Sequence, residues 1–189
     1  MSIDTNMKVM GGVSAILVLG LAGCGLPDSD EGCTSPEILP HQSPASLGAM
    51  YPTGNNDPDP SGNLRTPYQW VLLLQSECSE PVEIQDVCLV GDDSAKQQFT
   101  LETESEDLPA SVDCGTDYAV RLTYDRQDPN GGGNADQVGV VVQSNAKKFP
   151  TLVVPVCAKV VADGEDRGTV ECEPPVEVPE GTKDDTLCE

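Results

Sequence analysis

Residues 125–136 combine oxygen-bearing side chains with a run of glycines, a composition that can bind a hard cation. The segment reads DRQDPNGGGNAD. Calcium prefers carboxylate and amide oxygens, so one interpretation is a calcium site formed by Asp125, Asp128, Asn130 and Asp136. The alternative is a solvated turn, because Asn and Gly are common in loops between strands. The segment lacks EF-hand spacing, and the positive charge of Arg126 opposes a bound cation.

Cysteine is the second residue type with chemistry of its own. Seven of the eight cysteines follow Cys24, at positions 33, 78, 88, 114, 157, 172 and 188. None has C-x-x-C spacing, and the single histidine, His41, lies in a proline-bounded segment, so a zinc site is not expected. Numerous cysteines without metal-ligand spacing predict a disulfide framework in an exported protein. Because seven is odd, one thiol would remain free or pair between chains.

Catalytic groups are sparse in this sequence. His41 could serve as a base, but a flexible linker cannot hold an orienting acid and a nucleophile in place around it. Trp70 could stack against a ligand, although a single Trp in an apolar strand is more often part of a core. The sequence therefore predicts a protein that is not an enzyme and holds no cofactor other than the calcium considered above.

An apolar run from Val9 to Gly23 ends at Cys24 in the sequence LAGC. A membrane-spanning helix needs about 20 apolar residues, so this shorter run indicates a signal peptide, residues 1–23. Small residues before the cysteine suit a peptidase, and the pattern is typical of the lipobox of bacterial lipoproteins. We predict cleavage before Cys24 and acylation of its thiol. Because Gly25 rather than Asp follows, we expect sorting to the outer membrane.

The chain is strongly acidic, with a net charge of -22. The predicted signal peptide contains one acid and one base, so its removal leaves this charge unchanged. Such a charge repels nucleic acid and anionic membrane surfaces, so membrane attachment would depend on the lipid. We expect no nucleic-acid partner.

Composition divides the mature chain into three parts. Residues 24–43 form a predicted flexible tether, residues 44–160 a folded domain, and residues 161–189 an acidic, proline-rich tail. Proline and acidic residues favour extended backbone in the tail. We expect the tail to be disordered unless Cys172 and Cys188 close it into a loop.

Short apolar and β-branched segments separated by turn residues fill the domain, a pattern typical of an all-β sandwich. Six strands are predicted, with a possible short strand before them at 46–50; the six lie at 68–75, 82–89, 98–102, 118–124, 138–142 and 152–156. A bulge is expected at Gln85-Asp86, where the alternation shifts by one residue. Pro155 interrupts the last strand, which predicts a sheet edge or a bulge there. The fold class is an Ig-like antiparallel β-sandwich of about seven strands.

Several motifs resemble those of the hydin-type Ig-like family, also called ASH or choice-of-anchor D. They include VLLLQS at 71–76, EPVEIQDVCLVG at 80–91, the Ser-Asn pair at 144–145, and VVPV at 153–156. The match spans about residues 44–160 and departs at Cys78, at Cys114 and in the long loop 125–136. The resemblance implies an interaction or scaffold module without a catalytic site, and it names no ligand.

The Ig-like arrangement also implies disulfide pairings. The turn after the second strand and the turn before the fifth lie at one end of such a sandwich, which would join Cys78 to Cys114. Cys88 and Cys157 would pair near the opposite end, leaving Cys33, Cys172 and Cys188 to share one bond and one free thiol. Each bridge typically contributes about 2–4 kcal/mol.

Two functions follow from these observations. In the first, a lipid-anchored envelope protein binds another envelope or surface protein through loops or an open sheet edge, with the strand containing Pro155 as the expected edge. In the second, the sandwich is a calcium-dependent or carbohydrate-binding module that uses loop 125–136 or the aromatic side chains of Tyr51 and Tyr68.

Overall fold

A computed structural model describes residues 35–52, 64–77, 80–104, 107–130 and 134–189. Nine strands and one short helix lie within these ranges. The strands are β1 (Glu37–Pro40), β2 (Ala45–Met50), β3 (Tyr68–Glu77), β4 (Val82–Gly91), β5 (Phe99–Thr103), β6 (Ala110–Val112), β7 (Asp117–Tyr124), β8 (Asp136–Ser144) and β9 (Thr151–Val160), and the helix is α1 (Asp93–Lys96). The predicted all-β sandwich is confirmed.

The strands form two sheets that pack face to face. The four-stranded sheet has the order β1-β3-β7-β5, and the five-stranded sheet has the order β2-β9-β8-β4-β6. All pairs are antiparallel except β2 with β9, which is parallel. Two parallel strands need a long crossover connection between them, and β2 and β9 are separated by about a hundred residues of chain.

The core follows from the alternation of apolar residues along the strands. In β7 the alternate residues Tyr118, Val120, Leu122 and Tyr124 are buried, whereas the residues between them are partly or fully exposed. Successive side chains point to opposite faces of a strand, so this alternation places one face against the other sheet. Valines of β8 and β9 face these residues from the five-stranded sheet, and the buried side chains form one continuous cluster.

The predicted bulge in β4 is present. The pairing of β4 with β8 shifts register between Ile84 and Asp86. The backbone N–H of Val87 donates to the Asp86 side chain at 2.8 Å. The extra residue returns Val87 to the buried face, as the changed alternation in the sequence indicates.

Three elements were not predicted: β1, β6 and α1. β1 spans four residues and pairs with β3, so a strand of the sandwich lies inside the segment predicted to be a flexible tether. β6 spans three residues and α1 four. Elements this short carry too few residues to show a period, which is why composition alone did not reveal them.

The prediction that β9 forms a sheet edge is wrong. β9 pairs with β8 on one side and with β2 on the other. The parallel pairing with β2 begins at Val156, one residue after Pro155. The missing N–H of the proline therefore lies just outside the stretch of β9 that pairs with β2, and the sheet accommodates the proline without ending there.

The tail is also not disordered. Residues 161–189, called the strap below, contain no helix or strand, but they run across the outer face of the five-stranded sheet. Backbone groups of the strap bond to this sheet at both ends, through Gln137 Oε1 at 3.1 Å and Thr151 Oγ1 at 2.9 Å. Proline-rich extended backbone needs few internal hydrogen bonds, so it can lie on a sheet without a helical or strand partner.

Candidate functional site

Asp136, one of the four predicted calcium ligands, lies at the start of β8 with both oxygens in use. Tyr124 donates to Oδ2 at 2.6 Å, and Arg126 Nη1 contacts both oxygens at 3.0 and 3.2 Å. Burial and the hydrogen bond to Asp136 raise the pKa of Tyr124 well above its ordinary value, so the phenol remains a donor. The guanidinium of Arg126 thus supplies the positive charge that a cation would have brought.

The other three predicted ligands contact neighbouring residues of the same loop or of β9. Asp125 accepts a hydrogen bond from Gln127, and the backbone oxygen of Asp128 accepts one from Arg126 Nε at 2.9 Å. Asn130 bonds to Val160 twice, because its N–H donates at 2.9 Å and its Oδ1 accepts at 2.8 Å. Within the described ranges, no three His, Cys, Asp or Glu side chains are placed to hold a metal ion.

The disulfide pairing of Cys88 and Cys157 is wrong, although both residues are bridged. Cys88 bonds to Cys188 and Cys157 bonds to Cys172, with Cα–Cα distances of 5.6 and 5.4 Å. β8 separates the two strands, with Cys88 opposite Val141 and Cys157 opposite Gln137. Two strand spacings and four residues of rise place the thiols well beyond the roughly 7 Å limit for a bridge.

The expectation that Cys33, Cys172 and Cys188 share one bond and one free thiol is also wrong, because Cys172 and Cys188 are each bridged to a strand cysteine. Cys114 is disulfide-bonded as predicted. Its predicted partner Cys78 lies outside the described residues, as do Cys24 and Cys33. Disulfides persist in oxidising compartments outside the cytoplasm, and the bridges agree with an extracytoplasmic location. In the parts of the chain that the structure describes, no helix has the length and apolar character needed to cross a bilayer.

The two bridges hold the strap over the outer face of the five-stranded sheet. Val141 and Cys157 on that face are fully buried. Gly139 lies directly under the strap, because a Cβ atom there would come within 3.0 Å of Pro175 Cγ. The strap therefore covers the part of this face around Gly139 and Cys157.

Four shallow clefts border the strap. The largest, of about 500 Å³, lies between α1, the start of β8 and the strap residues Glu173–Pro175. Another, of about 370 Å³, is mostly apolar and lies between the strap and the start of β9. No histidine lines any of these four clefts, and the cysteines in one of them are the bridged pair Cys88 and Cys188.

His41 has an acidic partner that the linker interpretation did not foresee. Its Nε2 lies 3.0 Å from Asp117 Oδ1, and both side chains are about two-fifths exposed, at 44% and 39%. His41 is placed there because its backbone N–H bonds to Leu73 O, next to β1. Asp117 is its only side-chain partner among the described residues, so the pair ties β1 to β7 across the sheet surface.

The aromatic side chains considered for ligand stacking are largely engaged. Trp70 and Tyr68 pack against the core cluster from β3. Tyr51 donates to the Glu165 carbonyl at 3.1 Å, and the guanidinium of Arg65 lies 5.8 Å from its ring centroid. All three rings are partly buried.

Sheet edges are a surface through which a sandwich can bind another chain, and three of the four edge strands are protected. β1 has four residues and ends at Pro40, and β6 has three residues. β2 shifts register between Ser46 and Gly48, and Gly48 has a φ of +80° that bends the strand. Short strands, prolines and bulges are the devices by which proteins prevent unwanted strand pairing.

β5 has none of these protections. It spans five residues, contains no proline, and pairs with β7 without a register shift. In the described part of the chain it pairs on one side only. β5 is thus the open edge of the four-stranded sheet.

The hydrogen-bond pattern shows which groups of β5 face outward. Gln98 O accepts from Asp125 at 2.8 Å, and Glu104 N donates to Ala119 at 2.9 Å. Bonded pairs alternate in an antiparallel ladder, so the even-numbered residues from 98 to 104 bond to β7. The N–H and C=O groups of Phe99 and Leu101 therefore point away from β7. We call these outward groups, with the side chains beside them, the β5 edge.

The β5 edge has an exposed and a buried face, and it lies in an acidic segment of the chain. Thr100 and Glu102 are exposed on the outer face, whereas Phe99 is buried and Leu101 is partly buried at the margin of the core. The sequence from Gly91 to Asp113 contains seven acidic residues and one basic residue, Lys96. Lys96 is itself paired with Asp93 at 2.9 Å.

Comparison with known proteins gives no functional lead. No family model and no curated protein matches the chain. Among solved structures, a protein of unknown function from Porphyromonas gingivalis W83 is similar with a TM-score of 0.46 and 11% identity, covering 67% of this chain and 47% of that one. The secreted serine protease VesC from Vibrio cholerae is similar with a TM-score of 0.43 and 11% identity, covering 66% of this chain and 23% of that one. The chain thus spans less than half of either structure, and likeness at this level carries no argument about function.

Proposed function

We propose that this protein is a non-catalytic, lipid-anchored binding module of the cell envelope, which captures a partner protein by pairing a partner strand with the β5 edge. The observation that carries the proposal is the contrast between β5 and the other three described edge strands. β1, β2 and β6 are protected as edges, and the strap covers the outer face of the five-stranded sheet. Among the described edge strands of at least five residues, β5 is the one without a proline or register shift, and it turns backbone groups outward at Phe99 and Leu101. Strand addition to such an edge is a recurring mode of peptide recognition.

The lipid anchor rests on the sequence, because Cys24 and the apolar run before it lie outside the described residues. The bridged cysteines support export, since such bonds form outside the cytoplasm. The outer membrane is the proposed location, on the basis of Gly25 following the lipidated cysteine. Membership of the hydin-type family stays a prediction that rests on its strand motifs.

We do not extend the proposal to calcium or sugar binding. Both oxygens of Asp136 already accept hydrogen bonds from Arg126 and Tyr124. A calcium ion at this position would have to displace a guanidinium that the loop holds in place. The aromatic rings that sugar binding would need are packed against the core or against Arg65.

The proposal can be tested by site-specific photocrosslinking in intact cells. A photoreactive amino acid at Thr100, beside the β5 edge, should give a discrete protein adduct. The same amino acid at Thr182, an exposed strap position, serves as the matched control and should give none. An adduct at Thr182 but not at Thr100, or no adduct at either position, would rule out the β5 edge as the binding surface.

A further inference from the structure

We infer that the β5 edge selects an extended, positively charged peptide in which apolar and basic residues alternate. The inference rests on the proposed function and adds the chemistry of the partner. It follows from three features of the edge: its outward backbone groups, the partly buried side chain on its inner face, and the charge on its outer face.

The backbone of the edge determines the size of the partner segment. Phe99 and Leu101 together present two N–H donors and two C=O acceptors toward the open side. A strand rises about 3.3 Å per residue, so a partner of about five to seven residues matches the length of β5. Both donors and acceptors are satisfied only if the partner is itself extended.

The inner face of the edge requires apolar residues in the partner. Leu101 packs against the core but is only partly buried, whereas Phe99 is 6% exposed. A partner strand would place every second side chain on the same face as Leu101, at the margin of the core. An apolar side chain there buries the remaining apolar surface of Leu101, which favours binding.

The outer face of the edge requires basic residues in the alternate positions. Glu102 is exposed on this face, and the segment around β5 carries six more acidic residues against one base that is already paired. Arg121 lies opposite Glu102 on β7, on the side away from an incoming strand. Cross-strand pairs of opposite charge stabilise a sheet, and like charges destabilise it.

A second copy of this chain fits the edge poorly. Pairing β5 with itself would bring two segments of seven acids and one base together. Each protein also carries a net charge of -22, which opposes self-association. We therefore commit to a basic peptide, and a dimer is an outcome that would overturn the inference.

The test uses the purified full chain and a fluorescent peptide of alternating valine and lysine, about seven residues long. Fluorescence anisotropy would compare Leu101→Pro with Leu101→Ala. Both variants lose the leucine side chain, but only the proline variant loses the outward N–H, and neither changes the charge. We expect at least about a tenfold weaker Kd for Leu101→Pro than for Leu101→Ala, which corresponds to the loss of one backbone bond and the contacts it aligns.

The charge preference is tested at Glu102, which is exposed and outside the core. Glu102→Lys should weaken binding of the valine–lysine peptide at least about fivefold and should strengthen binding of a valine–glutamate peptide. Glu83→Lys makes the same charge change at an exposed position of β4 and should leave both affinities nearly unchanged. This pair of variants also keeps the inference testable if Leu101→Pro does not fold, as judged by circular dichroism.

The outcomes separate the inference from the function beneath it. Crosslinking at Thr100 in cells together with equal binding of the two peptides would overturn the basic partner but leave the β5 edge as the binding surface. If folded Leu101→Pro and Leu101→Ala bind the valine–lysine peptide equally well, both the basic partner and the β5 edge as the binding surface are overturned. A dimer of the wild-type protein in sedimentation that is absent in Leu101→Pro would overturn the peptide inference, because the occupant of the edge would then be a second copy of this chain.

Discussion

Asp136 shows how one buried carboxylate fixes the long loop before β8. It is 9% exposed and accepts hydrogen bonds from Tyr124, the last residue of β7, and from Arg126 in the loop that follows. Tyr124→Phe would remove one charge-assisted bond and leave that oxygen buried, so we expect a loss of about 1.5–3 kcal/mol in the free energy of unfolding. Tyr118→Phe is the control, because the buried hydroxyl of Tyr118 has no hydrogen-bond partner among the described residues. Urea denaturation should find the control nearly unchanged, and equal losses in both variants would contradict the role of Asp136.

The same tyrosine predicts a pH dependence. Burial, then the hydrogen bond to Asp136, raise the pKa of Tyr124 above its ordinary value. Because this pKa is higher in the folded than in the unfolded state, the contribution of the neutral phenol is complete below about pH 10 and is lost as pH rises further. The difference in unfolding free energy between wild type and Tyr124→Phe should therefore be constant near neutral pH and shrink above about pH 10. A difference that stays constant through pH 11 would contradict this.

Among the elements, β8 lies close to the strap at Gly139 and Pro175. An added Cβ at Gly139 would lie 2.9 Å from Val153 Cγ1 and 3.0 Å from Pro175 Cγ. Gly139→Ala should thus cost about 1–3 kcal/mol, as overpacking does. Pro175→Ala removes one of the clashing atoms, so the double variant should recover part of that cost in a double-mutant cycle followed by thermal melting. Strictly additive effects would mean that the strap does not rest on Gly139.

The limits of sequence reasoning also lie among the elements. Alternation located the six main strands and the bulge at Gln85-Asp86, because side-chain direction is a local property of the chain. Strand order is not local, so Pro155 was assigned to an edge that β2 in fact covers. The wrong partner for Cys88 has the same cause, because strand order decides which cysteines lie close enough to bond. β5 was identified as a strand, but nothing in its sequence shows that its second side is open.

At the scale of the whole molecule, the described surface is asymmetric. One sheet is closed by a strap held through bridges at Cys157–Cys172 and Cys88–Cys188. The other sheet ends in the β5 edge, within a strongly acidic protein. A module of this charge gains nothing from contact with anionic lipid headgroups, so it would depend on acyl chains to remain near a membrane partner.

That dependence gives a prediction for the intact protein. Cys24→Ala removes the thiol that would carry the lipid, and the net charge of -22 offers no second attraction to an anionic membrane. We expect the variant to move from the membrane fraction to the soluble fraction of lysed cells and to lack the mass of the lipid in whole-protein mass spectrometry. Cys33→Ala, a cysteine replacement in the same N-terminal segment, should leave both measurements unchanged. Should Cys24→Ala remain with the membranes at an unaltered mass, the protein is held there by something other than an acyl chain, and the anchor must be sought in a bound partner.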